Sequence, residues 1–248
     1  MTSALQHVAL TMLARRLESI VPLSPEERHA VEQLPARVHT LGSRHDIVHD
    51  GDTPSQCCLL LEGWAYRYKL LDEGRRQILS FHVPGDVPDL QSLHLQPVDY
   101  SLATLTRATV AFIPHEDLLD LVKRFPGLAT TLWRETLIDG AVFRAWITGM
   151  GQRSAFGRMA HLFCELYRKL EAVGLATEYR CTLPITQAEF GSALGLSNVH
   201  VNRVLQEMRA RELITLQGPK LVIVSWDRLV QAAEFDPAYL HLPSQVNV

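Results

Sequence analysis

The spacing of apolar residues along the chain changes period twice. From residue 3 to about 34 it is helical: Leu5, Val8, Ala9, Met12, Leu13 and Leu17 recur three and four apart. Ser24-Pro25-Glu26-Glu27 reads as an N-cap, a proline in the first turn and two acids beside the positive end of a second short helix. Between about 35 and 115 the period shortens. Cys58–Leu61, Trp64–Leu71, Gln77–His82, Ser101–Thr106 and Thr109–Ile113 are short runs of β-formers. Turn signals such as Asp50-Gly51-Asp52, Glu62-Gly63 and Pro84-Gly85-Asp86 separate them. Turns this frequent predict a sandwich or a closed roll.

Helical spacing returns at about 116 and runs to 172. A long helix is expected from Pro126 to Met150, with Leu132, Thr136, Asp139, Phe143, Trp146 and Met150 on one face at spacings of 4, 3, 4, 3 and 4. Leu137, Ile138, Ala141, Val142, Ala145 and Ile147 make much of the remaining circumference apolar, so the helix needs cover on more than one side. Its own β-domain supplies one cover. A second copy of the helix is the expected source of the other, with the six-residue stripe as the dimer face; burial inside one monomer is the alternative. Gly149-Met150-Gly151 is the expected hinge. The organisation that follows is α+β: residues 1–125 as a β-roll with N-terminal helices, 126–150 as the dimerisation helix, and 151–248 as a second domain.

Composition narrows the class. At 248 residues, 47% hydrophobic and 21% charged, the chain is globular in character and large enough to bury a core without covalent staples. Its four cysteines, Cys57, Cys58, Cys164 and Cys181, show no CxxC spacing, which argues against a disulfide scaffold and a closed zinc site. No run of 18 apolar residues suggests a membrane span, and Met1–Leu23 lacks the apolar core of a secretion signal, so a cytoplasmic location is expected. The net charge of −3 does not announce a nucleic-acid partner; residues 1–150 carry −4 and residues 151–248 carry +1.

Residues 184–224 carry the most information. Thr186 to Glu189 forms a capping-box pattern ahead of a short helix, 187–194, expected to bury Ala188, Leu194 and part of Phe190. Gly195 suits the left-handed position that ends it, and Ser197 caps a second helix, 198–211, burying Val201, Val204, Leu205 and Met208. Leu213–Leu216, a Gln217–Lys220 turn and Leu221–Val224 add a hairpin. Helix, glycine turn, helix and hairpin make a winged helix-turn-helix. The second helix fits the major groove of double-stranded DNA. There Arg203 matches guanine O6 and N7, Asn198 or Asn202 matches adenine, and Val199 matches a thymine methyl. Thr186, Gln187, Ser197 and His200 stand where hydroxyls, amides and helix N-termini meet phosphates.

These residues resemble the Crp/Fnr superfamily of bacterial transcription regulators over nearly the whole chain. The N-terminal marks are His49-Asp50-Gly51-Asp52, Leu61-Glu62-Gly63, Gly74-Arg75-Arg76-Gln77 and Pro84-Gly85-Asp86. The C-terminal marks are Gly157-Arg158-Met159-Ala160, Thr186-Gln187-Ala188-Glu189, Gly195-Leu196-Ser197 and Val201-Asn202-Arg203-Val204. The resemblance implies a cyclic-nucleotide-binding-type β-roll, a long dimerisation helix and a winged helix. It also implies a homodimer on a pseudo-palindrome whose half-sites lie about 34 Å apart, with RNA polymerase as a further partner. Asn198, Val199, Asn202 and Arg203 fall on its base-reading positions; the best-known members carry a glutamate where Val199 stands.

Two departures matter. Where cyclic-AMP-binding members place a ribose-binding glutamate and a phosphate-gripping Arg-Ser pair, this chain has Leu90 and Tyr100-Ser101. Burying a cyclic phosphate without a cation leaves a charge unpaired, so no response to cyclic AMP is expected. Oxygen-sensing members carry an N-terminal cysteine cluster, whereas residues 1–56 hold no cysteine, so no iron–sulfur centre is expected. No cofactor is assigned, and the effector stays open. Eleven histidines leave haem or metal sensing as the alternative, although His45 and His49, four apart, fall in a turn-rich stretch. A jelly-roll metalloenzyme would need His-x-His on a roll strand, which this sequence lacks, so no enzymatic activity is expected.

Overall fold

The computed structural model describes residues 2–242. Two compact units emerge: one runs to Gly74 and resumes over Leu79–Asp139, the other comprises Arg75–Ile78 and the chain from Gly140. In chain order the elements are α1 (Thr2–Glu18), α2 (Pro25–Glu32), β1 (Arg37–Leu41), β2 (Asp46–Val48), β3 (Gln56–Glu62), β4 (Ala65–Leu70), β5 (Arg76–His82), β6 (Ser101–Thr104), β7 (Ala108–Pro114), α3 (His115–Arg124) and α4 (Pro126–Gln152). They continue with α5 (Ala155–Ala172), β8 (Ala176–Thr177), β9 (Arg180–Thr182), α6 (Gln187–Leu194), α7 (Asn198–Ala210), β10 (Ile214–Gln217), β11 (Lys220–Ile223) and α8 (Trp226–Ala233).

The β-strands of the first unit form two sheets, ordered β1-β7-β3 and β2-β6-β4-β5. Strand β3 is apolar at five successive positions because both of its faces are covered. Cys57, Leu59 and Leu61 join a core with α1, α3 and α4, while Cys58 and Leu60 join a second core with Leu102, Val110 and Tyr100. On the first side, Leu10, Leu13 and Leu17 of α1 meet Leu128 and Leu132 of α4. The Ser24–Glu27 capping box closes as read: Glu27 N donates to Ser24 Oγ, and Ser24 N to Glu27 Oε2 at 2.9 Å. Strands β1 and β2 were invisible to the apolar pattern. Arg37–Leu41 is exposed or half-buried throughout, and Asp46–Val48 buries only Val48.

The long helix departs from expectation in two respects. Gly149, Met150 and Gly151 are helical, and the break falls at Arg153, after which the Ser154 hydroxyl accepts from Gly157 N and starts α5. Continuous hydrogen bonding holds the glycines in the helix, so permissive residues do not by themselves make a hinge. The stripe expected to face a partner is also turned partly inward. Leu132 is in the core of the first unit, Asp139 pairs with Arg67, and Trp146 Nε1 donates to the Glu165 carboxylate at 3.0 Å. Thr136 and Phe143 are half-buried. The large apolar side chains that α4 leaves exposed are Trp133, Leu137, Ile147 and Met150.

Helix α5 is the spine of the second unit. Met159, Phe163, Leu166 and Leu170 are fully buried along it, and Phe163 meets Phe190 of α6 edge to face at 5.6 Å. Cys164, beside them, is buried, and burial pushes its thiol up to about 12, so it is an inert core residue. A sheet ordered β10-β11-β9-β8 flanks the helices.

Candidate nucleic-acid interface

Both ends of α6 and the start of α7 are fixed by specific residues. Thr186 N donates to Glu189 Oε2 at 2.7 Å and Glu189 N to Thr186 Oγ1 at 3.3 Å, closing the capping box at the start of α6. Gly195, at φ 64° and ψ 41°, ends α6 in the left-handed region. A Cβ on Gly191 would stand 2.5 Å from the Leu196 carbonyl oxygen, so only glycine permits the turn to fold back this closely. Ser197 Oγ then accepts from His200 N at 3.3 Å and launches α7. Together these contacts set the direction of α7 before any partner is met.

Helix α7 buries Val201, Val204, Leu205 and Met208, as its spacing predicts. The opposite edge carries Asn198, Val199, Asn202, Arg203 and Gln206, all exposed, with His200 half-buried. Val199 is 81% exposed. Arg203 Nη2 lies 3.0 Å from His200 Nε2, a contact that holds the guanidinium over the first turns of the helix. Thr186, Gln187 and Ser197 are exposed at the adjoining helix starts. In α6 one expectation fails. Ala188 is exposed, and the buried positions are Phe190, Gly191, Ala193 and Leu194, because Phe190 rather than Ala188 points at Phe163. Beyond α7, β10 and β11 pair from Ile214↔Ile223 to Gln217↔Lys220 around Gly218-Pro219.

The surroundings of this edge match known proteins. Residues 157–232 match the Crp-like helix-turn-helix domain, and residues 39–125 match the cyclic nucleotide-binding domain. The transcriptional activator protein Anr of Pseudomonas protegens is 25% identical over 203 residues, 82% of each chain. An anaerobic regulatory protein of Haemophilus influenzae is 25% identical over 84% of this chain and 81% of its own. Among solved structures, FixK2 from Bradyrhizobium japonicum superposes with a TM-score of 0.73 at 24% identity, covering 80% of this chain and 98% of its own. The chain belongs to the Crp/Fnr family. It is a DNA-binding transcription regulator rather than an enzyme.

What this Crp/Fnr regulator holds around Leu90 and Tyr100 could not be read from spacing. Leu90 is buried in the core shared with α1 and α4. Tyr100 is 4% exposed, with the Arg67 guanidinium 5.5 Å above its ring. Arg67, itself 3% exposed, donates to Asp139 Oδ2 on α4 at 2.6 Å and to His82 Nε2 at 3.1 Å. His82 Nδ1 lies 3.4 Å from Asp86 Oδ2, Asp86 Oδ1 lies 3.8 Å from Arg16 of α1, and Arg16 bonds Glu135 of α4 at 2.7 Å. Side chains of the protein therefore tie the β-strands to α4 through charge. Arg67 and His82 carry no spacing signal, since they are 15 residues apart on neighbouring strands. Among the described residues, no three His, Cys, Asp or Glu side chains converge as a metal site would require.

Asp89 is 1% exposed and close enough to Arg67 to feel its charge. Its Oδ1 accepts from Cys58 N at 2.8 Å, while its Oδ2 and the Tyr100 hydroxyl have no hydrogen-bond partner among the described residues. Burial raises the Asp89 carboxyl to about 7, offset in part by the Cys58 amide and Arg67. An unfolded aspartate titrates near about 4, so the folded chain holds this proton more tightly and loses stability as pH rises between about 4 and 7. Asp89→Asn keeps the acceptor and removes the titration. Urea midpoints at pH 5 and pH 7.5 are expected to fall more in the unmodified protein than in the variant; parallel falls would show that Asp89 does not titrate in this window.

Proposed function

We propose that the chain works as a homodimer that reads a pseudo-palindromic duplex through two copies of α7. Asn198, Val199, Asn202 and Arg203 address base edges, while Thr186, Gln187, Ser197 and His200 address phosphates. The carrying observation is the exposed Asn/Val/Arg edge of α7, held outward by caps at both helix starts and backed by a filled core. Major-groove reading asks for such an edge: a guanidinium for guanine, amides for adenine and a methyl-sized apolar tip for thymine.

The dimer face is the exposed side of α4, with Trp133, Leu137, Ile147 and Met150 at its centre and Thr136 and Phe143 at its flanks. Four large apolar side chains exposed on one 27-residue helix favour a paired helix over a solvated one. In domain terms, residues 1–125 carry the roll, 126–150 the dimer helix and 151–248 the DNA-binding part. RNA polymerase is the further protein partner, and the cytoplasm is the setting. Among the described residues, no helix is long and apolar enough to cross a membrane.

Cyclic AMP is not the signal on this reading, because Leu90 and Tyr100 supply neither the carboxylate nor the cation its ribose and phosphate need. Selection of bound DNA from a random pool, with and without cyclic AMP, tests both parts. The expected product is one inverted repeat containing a guanine in each half, at equal yield in both arms. The same protein in a thermal scan is expected to show no shift with millimolar cyclic AMP. A pool without an inverted repeat overturns the DNA reading, and a nucleotide-dependent yield or melting shift overturns the effector reading.

A further inference from the structure

At the C-terminal end of α4, the second unit contains a solvent-open recess. Trp146, Met150, Arg153, Arg158, His161 and Leu194 are among its lining residues, contributed by α4, α5, α6 and the junction between α4 and α5. Two guanidinium groups enter it with little to hold. Arg153 Nε and Nη1 and Arg158 Nε are buried without a hydrogen-bond acceptor among the described residues. The contacts that these arginines do make are weak ones: Arg153 Nη2 lies 3.4 Å from the Glu234 backbone carbonyl, and Arg158 Nη1 lies 3.3 Å from Met150 Sδ. The described residues bring one carboxylate within 4 Å of either group, Glu234 Oε2 at 3.9 Å from Arg153 Nε, and that side chain is 80% exposed.

The charge balance is therefore lopsided. His161 adds no charge of its own at neutral pH, because burial and the nearby Arg153 lower it to about 4. Two cations line the recess against one distant, solvated acid. Buried N–H groups are normally paired, and three unpaired guanidinium nitrogens around one opening depart from that rule. A guanidinium presents its N–H groups as a planar fork whose spacing matches two oxygens of a carboxylate or phosphate.

We propose that this recess is a binding site for a small oxyanion, a phosphate or a carboxylate, held between Arg153 and Arg158. Arg158 Nη1 would stand 4.0 Å from a Cβ on Gly195, the residue that ends α6, so the bound anion would lie against the base of the helix-turn-helix. The site is separate from the exposed edge of α7 and does not depend on how that edge is used.

Thermal unfolding of the full chain at pH 7, in sodium phosphate, sodium acetate and sodium chloride at equal ionic strength, tests it. Phosphate or acetate is expected to raise Tm by roughly 2–4 °C over chloride, and the salt that does so names the anion's chemistry. The double variant Arg153→Gln/Arg158→Gln is expected to lose the increment, and Arg203→Ala, on the DNA-reading edge, to keep it. Should the double variant fail to fold, Arg158→Lys keeps a charge but lacks the fork, and titration calorimetry with phosphate and acetate is expected to show weaker binding than the unmodified chain's one site. Equal melting in all three salts, an increment that survives the double variant, one that vanishes with Arg203→Ala, or unchanged affinity in Arg158→Lys would overturn the proposal.

Discussion

Arg203→Ala is expected to weaken binding to the selected inverted repeat by about 1–3 kcal/mol per half-site, roughly 5- to 150-fold, and to relax one base position in each half. Arg203 is exposed and its side-chain partner is His200, so removing it disturbs no core contact. Folding and melting temperature should therefore stay near those of the unmodified chain. A phosphate-only contact would behave differently: affinity would drop uniformly across sequences and the salt slope would shrink by about one. Competition titrations against single-base variants of the repeat, at two salt concentrations, separate these outcomes. Unchanged affinity and an unchanged base preference would remove Arg203 from the interface.

The second large effect concerns assembly. Leu137→Glu combined with Ile147→Glu places two carboxylates on the exposed side of α4, where the side chains are 52% and 70% exposed in the single chain. In the monomer such substitutions are cheap. Between paired helices they force charges into an apolar seam, at a cost of several kcal/mol per buried unpaired ion. Sedimentation is expected to show a dimer for the unmodified protein and a monomer for the variant. Because each half-site alone lacks the avidity of the pair, affinity for the full repeat should fall about 10²- to 10⁴-fold. A variant that still sediments as a dimer would move the interface to another surface.

Legibility varied with how local the cause was. The winged helix was readable nearly residue by residue, because caps, a left-handed glycine and an apolar 3–4 spacing act within one turn of the chain. Ala188 was misplaced because periodicity on an eight-residue helix leaves its facing ambiguous, and the partner that decides it, Phe163, is 27 residues away. Strand β3 was legible as a solid apolar run, whereas β1 and β2 were not, since edge strands with few buried positions carry no alternation. The inward side of α4 was misjudged for a related reason. Leu132, Asp139 and Trp146 were grouped by spacing, but their partners at Leu10 or Leu13, Arg67 and Glu165 come from elements that only the folded chain brings together. The buried network of Arg67, His82, Asp86, Arg16 and Glu135 was hidden for the same reason, and the family resemblance implied only that a phosphate-binding pair was missing.

The bare tip at Val199 has a consequence for epigenetic marks on the target. An aliphatic side chain meets a 5-methyl group without regard to the ring that bears it, so 5-methylcytosine offers it the same surface as thymine. A carboxylate at that position would instead ask for the cytosine amine and be crowded by the added methyl. If α7 docks in the major groove as proposed, methylated operator DNA is a substrate that this valine would read rather than one that it must avoid.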